Sequence, residues 1–378
     1  MARITNLTFL AIAFTLLTNS LSALTPNQAA VADQVNSVAV PSGDLAAVVE
    51  ALGGIPKFEI YETWDTLAGE QYTTMMPANH YVTRRFIHHL YNAIDSAWNQ
   101  TIRWPDCLNI DGWALGGGGR AFLDGDSSAE GYKSDYWDIS LGCQTLLTPC
   151  LLVGIAGNYA QDLLLLNQGG RTTWKNGQGA LYGAFHTDYF YLLADVIGGG
   201  SVTRLKRPIA IGEISRKAES HPKIWQGTFY GEVGADFNFC EFMCQPFCGV
   251  EVGYYKSKKI QESGADSMNL IVAGKSTHTL NTSLGVHLTY DCDAILIRGD
   301  AAWLHDFGSL TSNVTNQFQS FGAPFTVKGS KQGNDGVWGV LNMSTNTADI
   351  FNLYAELTGE IWEHWSAYGF DMGFSFQF

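Results

Sequence analysis

The sequence predicts an all-β transmembrane fold: a closed antiparallel barrel of twelve strands. Three observations carry this. The N-terminus has the form of an export signal and no later segment reads as a membrane-spanning helix. A period-two alternation recurs from about Ile110 to the C-terminus. Charged residues recur on the polar face of those alternating segments.

Composition is consistent with such a fold. The 378 residues carry 22 Lys and Arg against 36 Asp and Glu, a net charge of −14. That balance excludes general nucleic-acid binding, which depends on neutralising phosphates with cations. Only 15% of residues are charged and 13% are aromatic, with 41 Gly and 10 Pro. A soluble helical enzyme usually carries more charge.

Arg3 supplies a positive start, Leu7 to Leu17 a short apolar run, and Ser20, Ser22 and Ala23 small residues for cleavage. Residues 1–23 therefore read as a signal peptide, because the apolar run is shorter than the ~20 residues a spanning helix needs. The most apolar later stretch, 146–166, is interrupted by Pro149, Gly154, Gly157, Asn158, Gln161 and Asp162.

Residues 24–79 are polar and linker-like. One short helical stretch, with Leu45, Val48, Val49 and Leu52 on one face, is stopped by Gly53, Gly54 and Pro56. A stronger helix spans 80–98, within a segment 80–104 closed by Trp104 and Pro105. Val82, Phe86, Leu90, Ala93 and Ala97 share one face, and Arg85, His88, His89, Asn92 and Ser96 another.

The barrel reads as 105–378. The last segment alternates Tyr368, Phe370, Met372, Phe374, Phe376 and Phe378 with Gly369, Asp371, Gly373, Ser375 and Gln377. Twelve such segments are expected, near 110–122, 132–146, 151–163, 177–190, 191–204, 224–239, 247–258, 278–290, 294–307, 336–346, 350–362 and 367–378. Each meets the ~9–11 residues that a spanning strand needs. The polar faces carry Glu232, Asp236, Glu251, Arg298, Asp300, Glu356, Glu360 and Asp371. Unpaired in a dry sandwich core these would be costly; on the wall of a wet lumen they cost little, which favours apolar-out, polar-in strands in lipid. Short links such as 240–246, 291–293 and 363–366 alternate with long ones such as 207–221, 259–277 and 308–335. That is the pattern of an outer-membrane barrel with its long loops outside.

With these features in place, the chain resembles the C-terminal translocator barrel of autotransporters (type V secretion), together with its preceding linker. The resemblance rests on residues 24–32 (LTPNQAAVA), 67–72 (LAGEQY), Arg84-Arg85-Phe86, 180–185 (ALYGAF), 279–285 (TLNTSLG), 301–307 (AAWLHDF), 352–360 (NLYAELTGE) and the terminal Phe378. It implies a helix threading the lumen of a twelve-stranded barrel. Arg84, Arg85, His88 and His89 on that helix would face the acidic lumen wall and plug the pore. The resemblance also implies outer-membrane lipid as the surroundings and assembly by the barrel-assembly machinery with periplasmic chaperones. Phe374, Phe376 and Phe378 would be the assembly signal. Two departures stand out: no passenger is visible between signal and linker, and such barrels usually lack cysteine.

Seven cysteines, an odd number, would face an oxidising compartment. Cys240, Cys244 and Cys248 lie at x3 spacing around a short link. Metal, disulfides to other envelope proteins and pairing across the hairpin are the readings. Disulfides are favoured, since the spacing misses C-x2-C and no His lies close by. Hydrolase parts are less convincing: His305 and Asp306 point to opposite faces, as do His278 and Ser283. No catalytic, cofactor-binding or metal residue is expected, and no cofactor. The runs Gly116–Gly119 and Gly198–Gly200 lack the Lys-Ser/Thr of a phosphate loop and read as room for the helix or as bends. Trp113, Trp225, Trp303, Trp338, Trp362 and Trp365 read as interfacial girdles. A solute channel and an outer-membrane hydrolase are the alternative functions, distinguished by open conductance and by loss of activity on replacing His287 or Asp300.

Overall fold

The computed structural model describes residues 24–56, 59–98, 110–126, 129–166, 169–292, 294–308, 313–345 and 351–377. The signal expected at 1–23, Cys107, and Phe378, expected as part of an assembly signal, lie outside them.

Twelve strands form the barrel among the described residues. They are β1 (Ile110–Leu123), β2 (Tyr132–Thr148), β3 (Leu151–Leu166), β4 (Arg171–His186), β5 (Phe190–Ile211) and β6 (Lys223–Ala235) in the first half. The second half holds β7 (Phe242–Ser257), β8 (Lys275–Asp291), β9 (Ile295–Asp306), β10 (Asp335–Thr345), β11 (Phe351–Trp362) and β12 (Trp365–Gln377). Each pairs antiparallel with its chain neighbours, and β12 returns to β1 in register from Asp111↔Gln377 to Leu123↔Trp365. Closure leaves the wall with no strand edge, so every backbone group in lipid finds a partner.

Alternation decides which side chains face in. On β12, Asp371 and Ser375 are buried in the lumen while Tyr368, Phe370, Met372 and Phe374 are exposed outward. The same parity exposes Leu181, Val196, Leu284, Leu341, Leu357 and Ile361. An apolar belt this continuous is far beyond what a water-soluble surface carries, and lipid is its cover.

The strand boundaries depart from the sequence expectation in two regions. β6 ends at Ala235 rather than 239 and β7 begins at Phe242 rather than 247, so most of the expected link 240–246 is strand. The segments expected at 177–190 and 191–204 are Arg171–His186 and Phe190–Ile211, and the expected link 207–221 is not a loop. The far half of β5 turns at Gly212 and pairs back with Ile214–Ser220. Arg207, Ile209 and Ile211 keep the inward parity and are fully buried. The charged Arg207 and the Pro208 beside it disguised that continuation.

Among the described residues four helical pieces precede the wall: α1 (Pro26–Asn36), α2 (Asp44–Gly53), α3 (Ile60–Ala68) and α4 (Met75–Trp98), with a 3-10 turn Glu70–Thr74 before α4. α1 starts at a capping box, Thr25 with Gln28, followed by Pro26 in the first turn. α4 starts five residues earlier than its periodicity suggests, because Pro77 falls in the first turn, where its missing N–H is no loss. Among the described residues no helix is long and apolar enough to cross a membrane.

Candidate functional site

α4 passes through the barrel. Met75 and Met76 lie among Ser257, Val272, Lys275 and Val314, at the mouth of the long loops. At the other end the Trp98 ring lies 4.8 Å from His186, beside the short turn between β4 and β5. Phe86, Leu90, Ala93 and Ile94 are buried, and the helix packs on β1, β3, β4 and β5. Along the opposite wall a cavity of about 120 Å³ remains, lined by His88, Glu232, Glu251, His287, Trp338 and Glu360 among others.

The polar face of α4 is tied to the wall. Arg85 donates to both oxygens of Asp138 at 3.1 and 2.7 Å and to Asp371 at 2.8 Å. Its guanidinium also lies 4.4 Å from the Tyr136 ring centroid. Arg84 pairs with Glu360 at 2.7 Å, and His88 lies 2.7 Å from Glu356. His89 Nδ1 is 2.8 Å from Ser140 Oγ, and its Nε2 lies 3.7 Å from Asp371. Near the short-turn end Arg298 reaches inward from β9 to Asp95 at 2.6 Å and to Asp300 at 3.1 Å. Charge-assisted and forked contacts of this kind are the strong class of hydrogen bond.

Of the expected wall residues, Glu232, Glu251, Arg298, Asp300, Glu356, Glu360 and Asp371 are all buried in the lumen. Glu251 meets His80, 2.7 Å away. Asp236 is different: it sits past the end of β6 and holds Gln245 and His186, whose ring lies beside Trp98 at the end of α4. Asp138 and Tyr136 were not singled out from the sequence, although Ser134, Tyr136, Asp138 and Ser140 share a parity against Trp137, Ile139 and Leu141. His80 and Asp95 were missed on the helix itself, where periodicity ranks apolar residues and is silent about long polar reach.

Three expectations change. Trp113, Trp362 and Trp365 are buried on the inward side, and Trp338 borders the cavity, so only Trp225 and Trp303 of the six are exposed outward. Gly117 and Gly119 make room for a neighbouring strand, since a Cβ there would lie 2.1 and 2.0 Å from backbone oxygens of Phe370 and Tyr368. At Gly369 a Cβ would meet Tyr136 Oη at 2.8 Å, Thr358 Oγ1 at 2.9 Å and, from α4, Arg85 Nη1 at 3.1 Å. Finally, Cys244 and Cys248 point outward four residues apart on β7, about 13 Å along a strand. A disulfide needs Cα atoms within roughly 7 Å, so those two cannot bridge each other.

A metal is a poor fit at the lumen cluster. His89, Asp138 and Asp371 bring ligand-type atoms within 4.8 Å of one another. Arg85 already lies between the two carboxylates, and its positive charge opposes a second cation there.

The long-loop mouth is closed by a second assembly. Strands 260–261, 270–272, 314–318 and 325–327 form a four-stranded sheet. α1 packs on α3 and on strand 325–327, and α3 packs on β5. Arg207 is the central tie: it donates to Glu262 at 2.9 Å, to Thr66 O at 2.8 Å and to Met268 O at 2.8 Å. Tyr72 donates to the same Glu262 at 2.9 Å. Gly69 takes φ 75° to end α3, and a Cβ there would lie 2.7 Å from Leu270. Asp44 pairs with Arg216, whose guanidinium holds its carboxyl far below the usual range. Glu70 accepts from Asn27 at 2.8 Å, yet burial pushes its carboxyl up to about 7. Burial likewise pushes Asp65 up to about 6.

Comparison with known proteins gives a consistent result. The family model described as Autotransporter beta-domain matches residues 112–358. A curated relative, an extracellular serine protease of Serratia marcescens, is 24% identical over 233 residues, which are 59% of this chain. The chain spans only 22% of that relative's length. Among solved structures, the translocator domain of the autotransporter NalP from Neisseria meningitidis aligns with a TM-score of 0.61 at 11% identity. The alignment covers 81% of this chain and 99% of that one. The β domain of the Bordetella autotransporter BrkA aligns at 0.53 and 14% identity, covering 71% and 99%. The transport unit of AIDA-I from Escherichia coli aligns at 0.51 and 12%, covering 76% and 97%.

Proposed function

The chain belongs to the autotransporter β-domain family, and from that premise we propose that it displays its own N-terminal segment, residues 24–74, at the outer mouth of the barrel while α4 stays in the lumen as a plug. It is an outer-membrane β-barrel of the translocator type. The observation that carries the proposal is the course of α4: it enters beside the long loops and leaves beside the short turns. Long loops of such barrels face outward, so the helices before Met75 emerge on the cell exterior. There they fold onto loop strands and close the opening. Outer-membrane lipid, the barrel-assembly machinery and periplasmic chaperones are the partners this role requires.

We read the barrel as non-enzymatic. His287 and Asp300 do meet, at 2.8 Å, but the second ring nitrogen of His287 faces Glu232 at 3.4 Å. Its ring is stacked between Tyr91 and Phe247. With a carboxylate at each nitrogen, the imidazole has no position from which to serve a nucleophile.

Two measurements test the reading. An epitope inserted at Val40, which is 82% exposed, should be reached by antibody on intact cells; detection only after the outer membrane is permeabilised would overturn it. In planar bilayers the mature chain should stay closed and a version lacking residues 24–104 should conduct. Equal steady conductance from both would sink the plug and favour a solute channel.

A further inference from the structure

The outward face of the wall is charged on one side and at one end. On β4, β5, β6 and β7 the outward row carries six cations, Arg171, Lys175, Arg204, Lys206, Lys223 and Lys256, and no Asp or Glu. The acids of those four strands, Asp195, Glu232 and Glu251, are buried inward. All six cations lie at the long-loop end, beside the links 166–171, 211–223 and 257–275. Toward the short turns the same rows hold only apolar and aromatic residues, Gly, Pro and Cys. The outward rows of β8 to β12 carry no Lys or Arg among the described residues.

Register gathers these cations. Arg171 is directly opposite Lys206, and Thr173 is opposite Arg204. Lys175 and Lys223 flank Val202 on its two sides, and Lys256 is opposite Trp225, the next outward residue after Lys223. The return strand Ile214–Ser220 adds Lys217 and a single acid, Glu219, to the same face. Arg204, Lys206 and Lys217 all reach Glu219, at 3.4, 3.9 and 3.4 Å. One carboxylate balances only one of the three. Like charges directly opposite each other destabilise a sheet, so the fold itself does not account for the cluster. Val202 and Trp225, 50% and 60% exposed, are the last apolar residues of their rows, and the cations begin where they end.

We propose that this face binds a phosphorylated, acylated glycolipid of the outer leaflet, with its acyl chains on the apolar belt of β4 to β7 and its phosphates among Arg171, Arg204, Lys206 and Lys223. Charge complementarity sets the ligand class. Arginine forks onto phosphate oxygens and lysine adds a point charge. A cation cluster at the edge of a membrane-spanning surface attracts anionic headgroups. The one-ended placement sets the leaflet: attraction to anionic lipid in general would favour cations at both rims, and among the described residues the short-turn rim presents no Lys or Arg. The inference rests on the outer-membrane placement of the barrel. It shares with the proposed display of residues 24–74 only the outward direction of the long loops.

The test uses the full chain extracted from outer membranes in mild detergent and weighed by native mass spectrometry. As extracted, the barrel should carry a retained glycolipid; a barrel that retains only phospholipid would overturn the proposal. The delipidated protein is then titrated with lipid A bearing two phosphates and with the same lipid stripped of both. The phosphorylated lipid should bind in preference, more weakly as salt is added. Combining Arg171→Gln, Arg204→Gln and Lys206→Gln should weaken that binding about 100-fold, at roughly five-fold per cation. Lys328→Gln with Lys331→Gln, on the link between β9 and β10, should leave it unchanged. Equal binding of the two lipids by the wild type would overturn the proposal, as would undiminished binding by the triple variant. Displacement of lipid A by a polyglutamate peptide at equal charge concentration would assign the face to an acidic polypeptide instead. A hidden Val40 epitope together with retained glycolipid and phosphate-dependent binding would fail the display reading alone. The wild-type comparison of the two lipids decides the matter even if a variant fails to assemble.

Discussion

Replacing Arg85 with Met tests whether ion pairing holds α4 in the lumen. Arg85 is 7% exposed, and its partners Asp138 and Asp371 are 3% and 1% exposed. Methionine keeps much of the volume and removes the charge, which leaves two buried carboxylates facing each other across the gap. Breaking a buried pair by removing one partner costs about 3–5 kcal/mol. At ~1.4 kcal/mol per factor of ten, that raises the ratio of displaced to seated helix by roughly a hundred-fold to a few thousand-fold. Arg84, His88 and Arg298 keep their own partners, so the helix loosens without leaving. The assay is single-channel recording in planar bilayers. The wild-type protein should stay closed, and Arg85→Met should show brief openings whose summed duration rises by that factor. Adding Asp138→Asn and Asp371→Asn should restore closure, because the stranded charges are gone. If Arg85→Met stays as closed as wild type while deletion of residues 24–104 conducts, the Arg85 cluster does not hold the plug.

Two further predictions concern the outer cap. Glu70 has a folded-state pKa of about 7 against an ordinary value of 4.5, so its stabilising contribution is complete below about 4.5 and is lost as pH rises through 7. The difference is about 3 kcal/mol. Amide exchange over 60–74, corrected for intrinsic rate, should therefore be faster at pH 8 than at pH 5.5, and Glu70→Gln should remove most of that difference; equal protection at both pH values in the wild type would refute the account. Arg207→Ala strands the buried Glu262 and frees Thr66 O and Met268 O, at a cost of about 3–5 kcal/mol. Protease added to intact cells should then cut within 24–74 while the barrel retains its heat-modifiable mobility on gels. Unchanged resistance would show that Arg207 is not the tie.

The strand alternation made most of the wall legible. Glu356 and Asp371 could be placed in the lumen because a period of two assigns every residue on a spanning strand to one side or the other. Charges on one parity and aromatics on the opposite parity then name those sides. The same rule did not reach the tryptophans, since an aromatic residue is tolerated on either face of a barrel whose lumen holds a helix; Trp113 and Trp362 pack inward. It also failed for β5, where Arg207 and Pro208 look like a loop locally and Arg207 is buried only because α3 and the loop strands cover it.

What the sequence determined by itself is local: the strand periodicity, the polar parity, the helix amphipathicity and the family likeness of short motifs in order. Only the tertiary structure decided which groups meet. Asp138 and Asp371 come from β2 and β12, strands at nearly opposite ends of the chain, and they share one arginine because the barrel closes and brings both beside β1. Only the course of α4 through that closed wall decided that residues 24–74 lie with the long loops. Periodicity reports how a segment faces its surroundings, whereas closure and threading depend on contacts among segments far apart in the chain, and no local pattern encodes them.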